Sequence, residues 1–219
     1  MEDTYESFIK NGATIYTARV DSLKAIPGRN RIKLTWLLVS DPKITKNVVY
    51  WNDKADSVVL NVTKTAHTDT ITTIIPNLAD QTYTFQVYTY DNYGHHSVKA
   101  EIIGTVYGDL YANTILNRPL NTTVLNTTTN NLAITWWGVS SQAVALDMKY
   151  TDISGASKTV TDVPIQDPNI NSRVWVVLPA VSNLPNFKKG SSFSYRTGYK
   201  PVPTSIDTFY TDWTTVTVP

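Results

Sequence analysis

Alternation of apolar and polar residues is the clearest pattern along the chain. In RIKLTWLLVSD (31–41), every second residue up to Trp36 is apolar. NLAITWWGVSS (131–141) repeats the pattern 100 residues later and places Trp136 at the matching position. Because the side chains of a β-strand point alternately to its two faces, a period of two predicts strands with one buried face.

The repeat predicts two similar domains in tandem, residues 1–110 and 111–219. Each copy contains about seven short strands separated by turn residues such as Pro27-Gly28. This number and spacing predict an all-β fold made of two tandem antiparallel β-sandwiches. One short helix is expected near the N-terminus, in DTYESFIKNG (3–12), which has an N-cap aspartate and an apolar face.

Composition narrows the classes of function. The chain has 219 residues, of which 17% are charged, and a net charge of +1 at pH 7. So small a net charge, without any basic run, predicts no nucleic-acid partner and no electrostatic recruitment to an anionic membrane. The absence of cysteine excludes disulfides, thiolate nucleophiles and cysteine-bound metals. No stretch reaches the roughly 20 apolar residues of a membrane-spanning helix, and no signal peptide is visible.

In the first copy, Trp36 lies on the second predicted strand, and Leu78 precedes Tyr83 at the start of a later one. Trp36 resembles the core tryptophan of the fibronectin type III fold. Leu78 and Tyr83 resemble its E–F corner, where the tyrosine hydroxyl closes the turn.

Four longer runs are more specific than a general strand pattern: IYTARVDSL (15–23), IPGRNRIKLTWLLVSDPKITKNVVYWND (26–53), YTFQVYTYDNYGHHSVKAEIIGTVYG (83–108) and FSYRTGYKPVPTSIDTFYT (193–211). These runs resemble a Bacteroidetes domain family of unknown function, number 4998. The resemblance implies an outer-membrane lipoprotein of the cell envelope, made beside proteins that capture and digest polysaccharides. Its leader and lipid-bearing cysteine would then precede the sequence given. The resemblance implies no catalytic residue.

The segment YTYDNYGHHS (88–97) concentrates residue types of a metal or acid–base site. Adjacent residues on a strand point to opposite faces, so His95 and His96 are not expected to bind one ion. A catalytic pair of histidine and Asp91 would have no activated nucleophile to act on. The other carboxylates stand singly, mostly in turns, whereas a glycosidase needs two that face each other. We therefore expect a turn with solvated histidines, no metal, no cofactor and no enzyme activity. An unrecognised hydrolase is the minor alternative.

Aromatic residues are the candidate ligand-binding groups. Alternation places Tyr88 and Tyr90 on the outer face of their strand. By analogy with the second copy, the neighbouring strand is predicted to turn Tyr50 inward and Trp51 outward, towards the two tyrosines. Trp137 is predicted to face outward in the second copy. The candidates are therefore Trp51, Tyr88, Tyr90 and Trp137. Two further tryptophans are predicted to be core residues: Trp175 and Trp213.

The predicted function is a non-catalytic binding or adhesion module of the cell envelope. Its expected partner is a polysaccharide, or an outer-membrane protein of a polysaccharide-utilisation system, contacted by sheet-face aromatics and loop residues. The alternative is a structural spacer of a surface lipoprotein, with the aromatic face covered by the N-terminal helix or by the second domain. We expect a monomer that reaches the membrane only through its lipid anchor.

Overall fold

The computed structural model describes residues 16–39, 41–63, 65–166 and 176–219. The chain divides into two compact units, an N-terminal unit Met1–Val106 and a C-terminal unit Tyr107–Pro219. The helix expected at residues 3–12 and Trp175 lie outside the described residues. Among the helices within those ranges, none is long and apolar enough to cross a membrane.

The N-terminal unit is a sandwich of two antiparallel sheets. Its described strands are β1 (Asp21–Pro27), β2 (Ile32–Leu38), β3 (Lys46–Trp51), β4 (Asp56–Asn61), β5 (Asp69–Ile75), β6 (Thr82–Tyr90) and β7 (Ala100–Thr105). One sheet has the order β1-β2-β5 and the other the order β4-β3-β6-β7. This is the strand arrangement of a fibronectin type III domain, so the predicted fold class is confirmed.

The alternation in β2 builds the core of this unit. Ile32, Leu34 and Trp36 are buried and belong to one cluster with Phe85 and Val87 of β6, in the opposite sheet. Full burial of side chains of this size contributes about 1.5–3 kcal/mol each. Burial of apolar side chains between the two sheets is therefore what holds them together.

Tyr83 closes the corner before β6. Its hydroxyl accepts a hydrogen bond of 2.9 Å from the backbone N–H of Ala79, and both Tyr83 and Leu78 are buried. The predicted tyrosine corner is confirmed. Without this acceptor, the Ala79 N–H would lose a partner in a partly buried position, which costs about 1–3 kcal/mol where the group is fully buried.

The C-terminal unit is a second antiparallel sandwich that follows a short helix. Its described elements are α1 (Asp109–Ala112), β8 (Leu120–Asn126), β9 (Asn131–Trp136), β10 (Ala143–Thr151), β11 (Ser157–Asp162), β12 (Ile165–Gln166), β13 (Val176–Val177), β14 (Val181–Leu184), β15 (Ser192–Tyr199), β16 (Phe209–Tyr210) and β17 (Thr214–Thr217). The sheet β14-β9-β8 packs on the sheet β11-β10-β15-β16, in which β17 also pairs with β15. Strands β12 and β13 pair separately. Ile134 and Trp136 of β9 share the core with Met148 and Phe193.

In the strand that follows the repeated segment, the side chains that face the core occupy different positions in the two units. In β10, Met148 and Tyr150 are buried, as predicted. In β3, Val49 is fully buried, and the ring of Trp51 packs on the core beside Phe85, with 6.4 Å between ring centroids. The prediction that Trp51 faces outward and Tyr50 inward is therefore wrong.

A change of parity between the two copies explains this error. Trp36 and Val49 lie an odd number of residues apart, whereas Trp136 and Met148 lie an even number apart. The connection before β10 is different, and the pairing of β10 with β15 shifts register just after Ala143. A shift of one residue exchanges the two faces of a strand. The offset of 100 residues that aligns β2 with β9 therefore fails for β3 and β10.

We predict that Gly104→Ala destabilises the N-terminal unit. A Cβ added to Gly104 in β7 would lie 2.4 Å from Cδ1 of Ile32 and 3.0 Å from Cβ of Ala25. Overpacking of this kind costs about 1–3 kcal/mol, which urea unfolding measures. Gly138→Ala is the matched control, because nothing lies within 4 Å of its added Cβ. An equal loss in both variants would contradict the close packing of β7 on β2.

Candidate ligand-binding face

The outer face of the sheet β4-β3-β6-β7 carries a set of aromatic rings. Pairing of β3 with β6 places Lys46 opposite Tyr90 and Val48 opposite Tyr88, and Tyr50 follows two residues after Val48. These five residues share the face that points away from the core. The three tyrosines are each half-buried, so each residue keeps part of its surface accessible.

His96, in the loop after β6, extends this set of rings. The Tyr50 and Tyr88 centroids are 5.8 Å apart with an interplanar angle of 82°, and those of Tyr88 and His96 are 5.8 Å apart at 81°. Tyr90 and His96 are separated by 5.6 Å. Edge-to-face contacts at such distances contribute about 0.5–1.5 kcal/mol each. Tyr50, Tyr88, Tyr90 and His96 are called the tyrosine row from here on.

Two lysines lie over rings of the tyrosine row. Nζ of Lys54 is 5.0 Å from the ring centroid of Tyr88 and 5.8 Å from that of Tyr50, and Nζ of Lys46 is 5.1 Å from that of Tyr90. Within the described ranges, the ion pairs involve neither lysine. A cation over an exposed ring contributes about 0.5–1 kcal/mol. The face therefore combines accessible ring surface with positive charge.

The turn between β3 and β4 holds Lys54 in this position. Asn52, Asp53 and Lys54 have φ angles of 49°, 52° and 68°, all in the left-handed region. Asparagine and aspartate tolerate this region better than most other residues. The backbone N–H of Ala55 donates to the carbonyl of Asn52 at 2.9 Å and closes the turn.

A depression of about 270 Å³ lies between this turn and β6. Its lining from β6 is Thr82, Tyr83, Thr84 and Gln86.

Hydrogen-bonding groups surround the rings. Burial, a hydrogen bond with Tyr50 and electrostatic repulsion from Tyr50 and Tyr88 on ionisation raise the pKa of Tyr90 to about 12. The Tyr90 hydroxyl is therefore protonated at neutral pH. At the edge of the face, Glu101 accepts hydrogen bonds from Lys99 at 2.7 Å and from Gln86 at 3.0 Å.

Asp91 organises the loop between β6 and β7. Its Oδ2 lies 2.7 Å from Nδ1 of His95, and its Oδ1 accepts the backbone N–H groups of Tyr93 and His95. Burial opposes ionisation of Asp91, but these hydrogen bonds outweigh it and lower the pKa of the carboxyl. Asp91 thus fixes the loop that brings His96 to the row. Across the described parts of the chain, no cluster of His, Asp and Glu could hold a metal ion.

The candidate residues occupy three different environments. Tyr88 and Tyr90 lie together on the outer face of the N-terminal unit. Trp51 packs on the core of that unit, and it also lines the depression beside the turn, together with Tyr50. Trp137 follows β9 in the C-terminal unit and is 58% exposed, and its carbonyl accepts a hydrogen bond of 2.8 Å from Nε of Arg118.

Trp213 is not a core residue, contrary to prediction. Its ring centroid lies 4.3 Å from Nζ of Lys149 and 4.8 Å from Cζ of Arg196, on the outer face of the sheet that contains β10 and β15. Arg196 also lies 4.0 Å from the ring of Tyr210 and pairs with Asp147 at 3.0 Å. The cations in this group lie over its aromatic rings, and Arg196 is paired with a carboxylate, which indicates a stabilising role.

Sequence reasoning misses Tyr50, Lys46 and Lys54 as members of the face. One signal could have found the first two. Lys46 has the same parity as Tyr50, whereas Asn47 has the same parity as Trp51. Lysine is almost never fully buried, so the face with Lys46 was the better choice for solvent.

A family model described as a domain of unknown function, number 4998, matches residues 1–209. The chain belongs to this family. A comparison with curated proteins finds no match. The family description carries no activity, so function has to be inferred from the site.

Comparison with solved structures matches the chain to two proteins from chicken. A crystal structure of the chicken CNTN1 FN1–FN3 domains is 10% identical with a TM-score of 0.44, and the match covers 92% of this chain and 64% of that one. A two-domain fibronectin type III segment from chicken tenascin is 12% identical with a TM-score of 0.32, covering 91% of this chain and 98% of that one. The strand order and the shared core of each unit define the fold.

Proposed function

We propose that the chain is a non-catalytic binding module whose ligand contacts the tyrosine row. The observation that supports this is the row itself: Tyr50, Tyr88 and Tyr90 point away from the core and lie together on one sheet face. Aromatic side chains grouped on one outer face are a feature of many interaction sites. Tyrosine supplies both an apolar ring and a hydrogen-bonding hydroxyl.

A glycan is the ligand that best suits this chemistry. The C–H groups of a sugar ring can pack on the tyrosine rings, and its hydroxyls can pair with the tyrosine hydroxyls and with Lys46 and Lys54. The polar depression beside the turn offers further partners in Asp53 and Gln86. Binding would then proceed by packing and hydrogen bonding without a chemical step. A partner protein is the alternative ligand for the same face.

A structural spacer is the second candidate function. The rings of the row contact one another edge to face, and Lys54 and Lys46 lie over them. These contacts stabilise the rings within the protein even when no ligand is bound. In a spacer, removing a ring would lower stability and leave no binding to lose.

The proposed location is the cell envelope, as a lipid-anchored outer-membrane protein of a polysaccharide-utilisation system in Bacteroidetes. Its support is the resemblance carried by the runs 15–23, 26–53, 83–108 and 193–211. Fractionation of the source cells tests this location: the protein is expected with the outer membrane, and recovery in the cytosol would contradict it.

We predict that Tyr88→Ala weakens binding of the preferred polysaccharide by about 2- to 13-fold, which corresponds to one ring contact of about 0.5–1.5 kcal/mol. Affinity gel electrophoresis against host and dietary polysaccharides measures the change. Tyr93→Ala is the control, because Tyr93 is 86% exposed in the loop after Asp91 and lies outside the row. Trp51→Ala is unsuitable, because it would damage the core.

Two outcomes would contradict the proposed site. Equal losses in Tyr88→Ala and Tyr93→Ala would place the ligand on the loop. No retardation of the wild-type protein by any polysaccharide, with the fold intact, would favour the spacer.

A further inference from the structure

Arg118 is a buried cation in the C-terminal unit, two residues before β8. It is 4% exposed. Its Nε donates to the carbonyl of Trp137 and its Nη1 to the carbonyl of Pro179, each at 2.8 Å. The guanidinium lies 5.9 Å from the ring centroid of Trp136. These contacts fix the side chain, but none of them brings a negative charge to it.

The charge of Arg118 has no direct partner in the described residues. Among the ion pairs there, none includes Arg118. A guanidinium has five N–H donors, and the two carbonyls occupy one on Nε and one on Nη1. Burial lowers the pKa of Arg118, and electrostatic interactions with Asp162 and Tyr199 oppose this effect. A buried charge without a partner is costly, so its position calls for a compensating anion.

Arg118 lines a pocket of about 270 Å³. The pocket is smaller than the roughly 300–1,000 Å³ typical of sites for drug-sized ligands, and it therefore suits a small molecule. Its other lining residues are mostly apolar: Trp136, Gly138, Val139, Ala143, Val177, Leu178 and Ala180, with Ser140 and Ser141 as the polar members.

The wall formed by Trp136 is held in place. Its indole Nε1 donates to Oγ of Ser182 at 2.7 Å, and the Ser182 hydroxyl donates in turn to Asp162. Trp136 is also buried in the core of the unit. The pocket therefore combines a fixed aromatic wall with a fixed guanidinium.

We propose that this pocket binds a small carboxylate with an apolar body. The carboxylate pairs with the guanidinium of Arg118, and the apolar body packs against Trp136 and Leu178. The planar fork of arginine matches the two oxygens of a carboxylate. Apolar walls disfavour a polyhydroxylated sugar acid, because its hydroxyls would lose their hydrogen bonds to water. The site shares no residue with the tyrosine row and does not depend on glycan binding.

An NMR titration of the full-length ¹⁵N-labelled chain with benzoate tests the proposal. We expect saturable shifts of the Arg118 Nε–H signal and of the backbone amides of Ser140 and Ser141. Benzamide has nearly the same shape without the charge and should bind roughly tenfold more weakly. Glucuronate keeps the carboxylate but replaces the apolar ring, and it should also bind more weakly than benzoate.

The variant Ala180→Trp tests the location without removing Arg118. Ala180 is exposed at the pocket, and its contribution to the sheet is a backbone carbonyl that accepts the N–H of Trp136. The substitution should abolish the benzoate shifts and keep a dispersed spectrum. Ala156→Trp, at an exposed alanine in the turn before β11, should bind benzoate as the wild type does.

Four results would overturn the proposal. They are no saturable shift with benzoate, equal binding of benzamide, tighter binding of glucuronate than of benzoate, and unchanged benzoate binding in Ala180→Trp.

Discussion

Side-chain alternation along β3 is the constraint on which the N-terminal unit depends. Val49 and Trp51 point inward to the core that contains Phe85, and this leaves Lys46 and Tyr50 on the opposite face. A slip of one residue would bury the lysine and the tyrosine and expose the two core residues. One register therefore sets both the packing of the sandwich and the composition of its outer face.

The order of the tyrosine row comes from the segments at its two ends. At one end, Asp91 holds the loop after β6 through His95 and so brings His96 against Tyr88. At the other end, the left-handed turn after β3 places Lys54 over the rings. A face whose side chains are already positioned loses less conformational entropy when a ligand binds. This arrangement favours recognition by a preformed surface.

Sequence alone predicts the features that depend on local signals. The alternation in β2 and β9 identifies two cores, and the spacing of Leu78 and Tyr83 identifies the corner. Local signals of this kind do not show which side chains of β3 face the core. That depends on the length of the preceding connection, and the comparison with the other copy is altered by a register shift near Ala143. Arg118 is likewise not predictable, since its acceptors and its pocket come from segments far apart in the chain.

Thiol accessibility tests the alternation of β3 most directly, because the chain contains no cysteine of its own. Val49→Cys and Tyr50→Cys are compared in the N-terminal unit, and Met148→Cys and Lys149→Cys in the C-terminal unit. We expect slow labelling at 49 and 148, limited by opening of the fold, and fast labelling at 50 and 149. Fast labelling at 49 with protection at 50 would contradict this orientation of β3 and place Trp51 on the outer face.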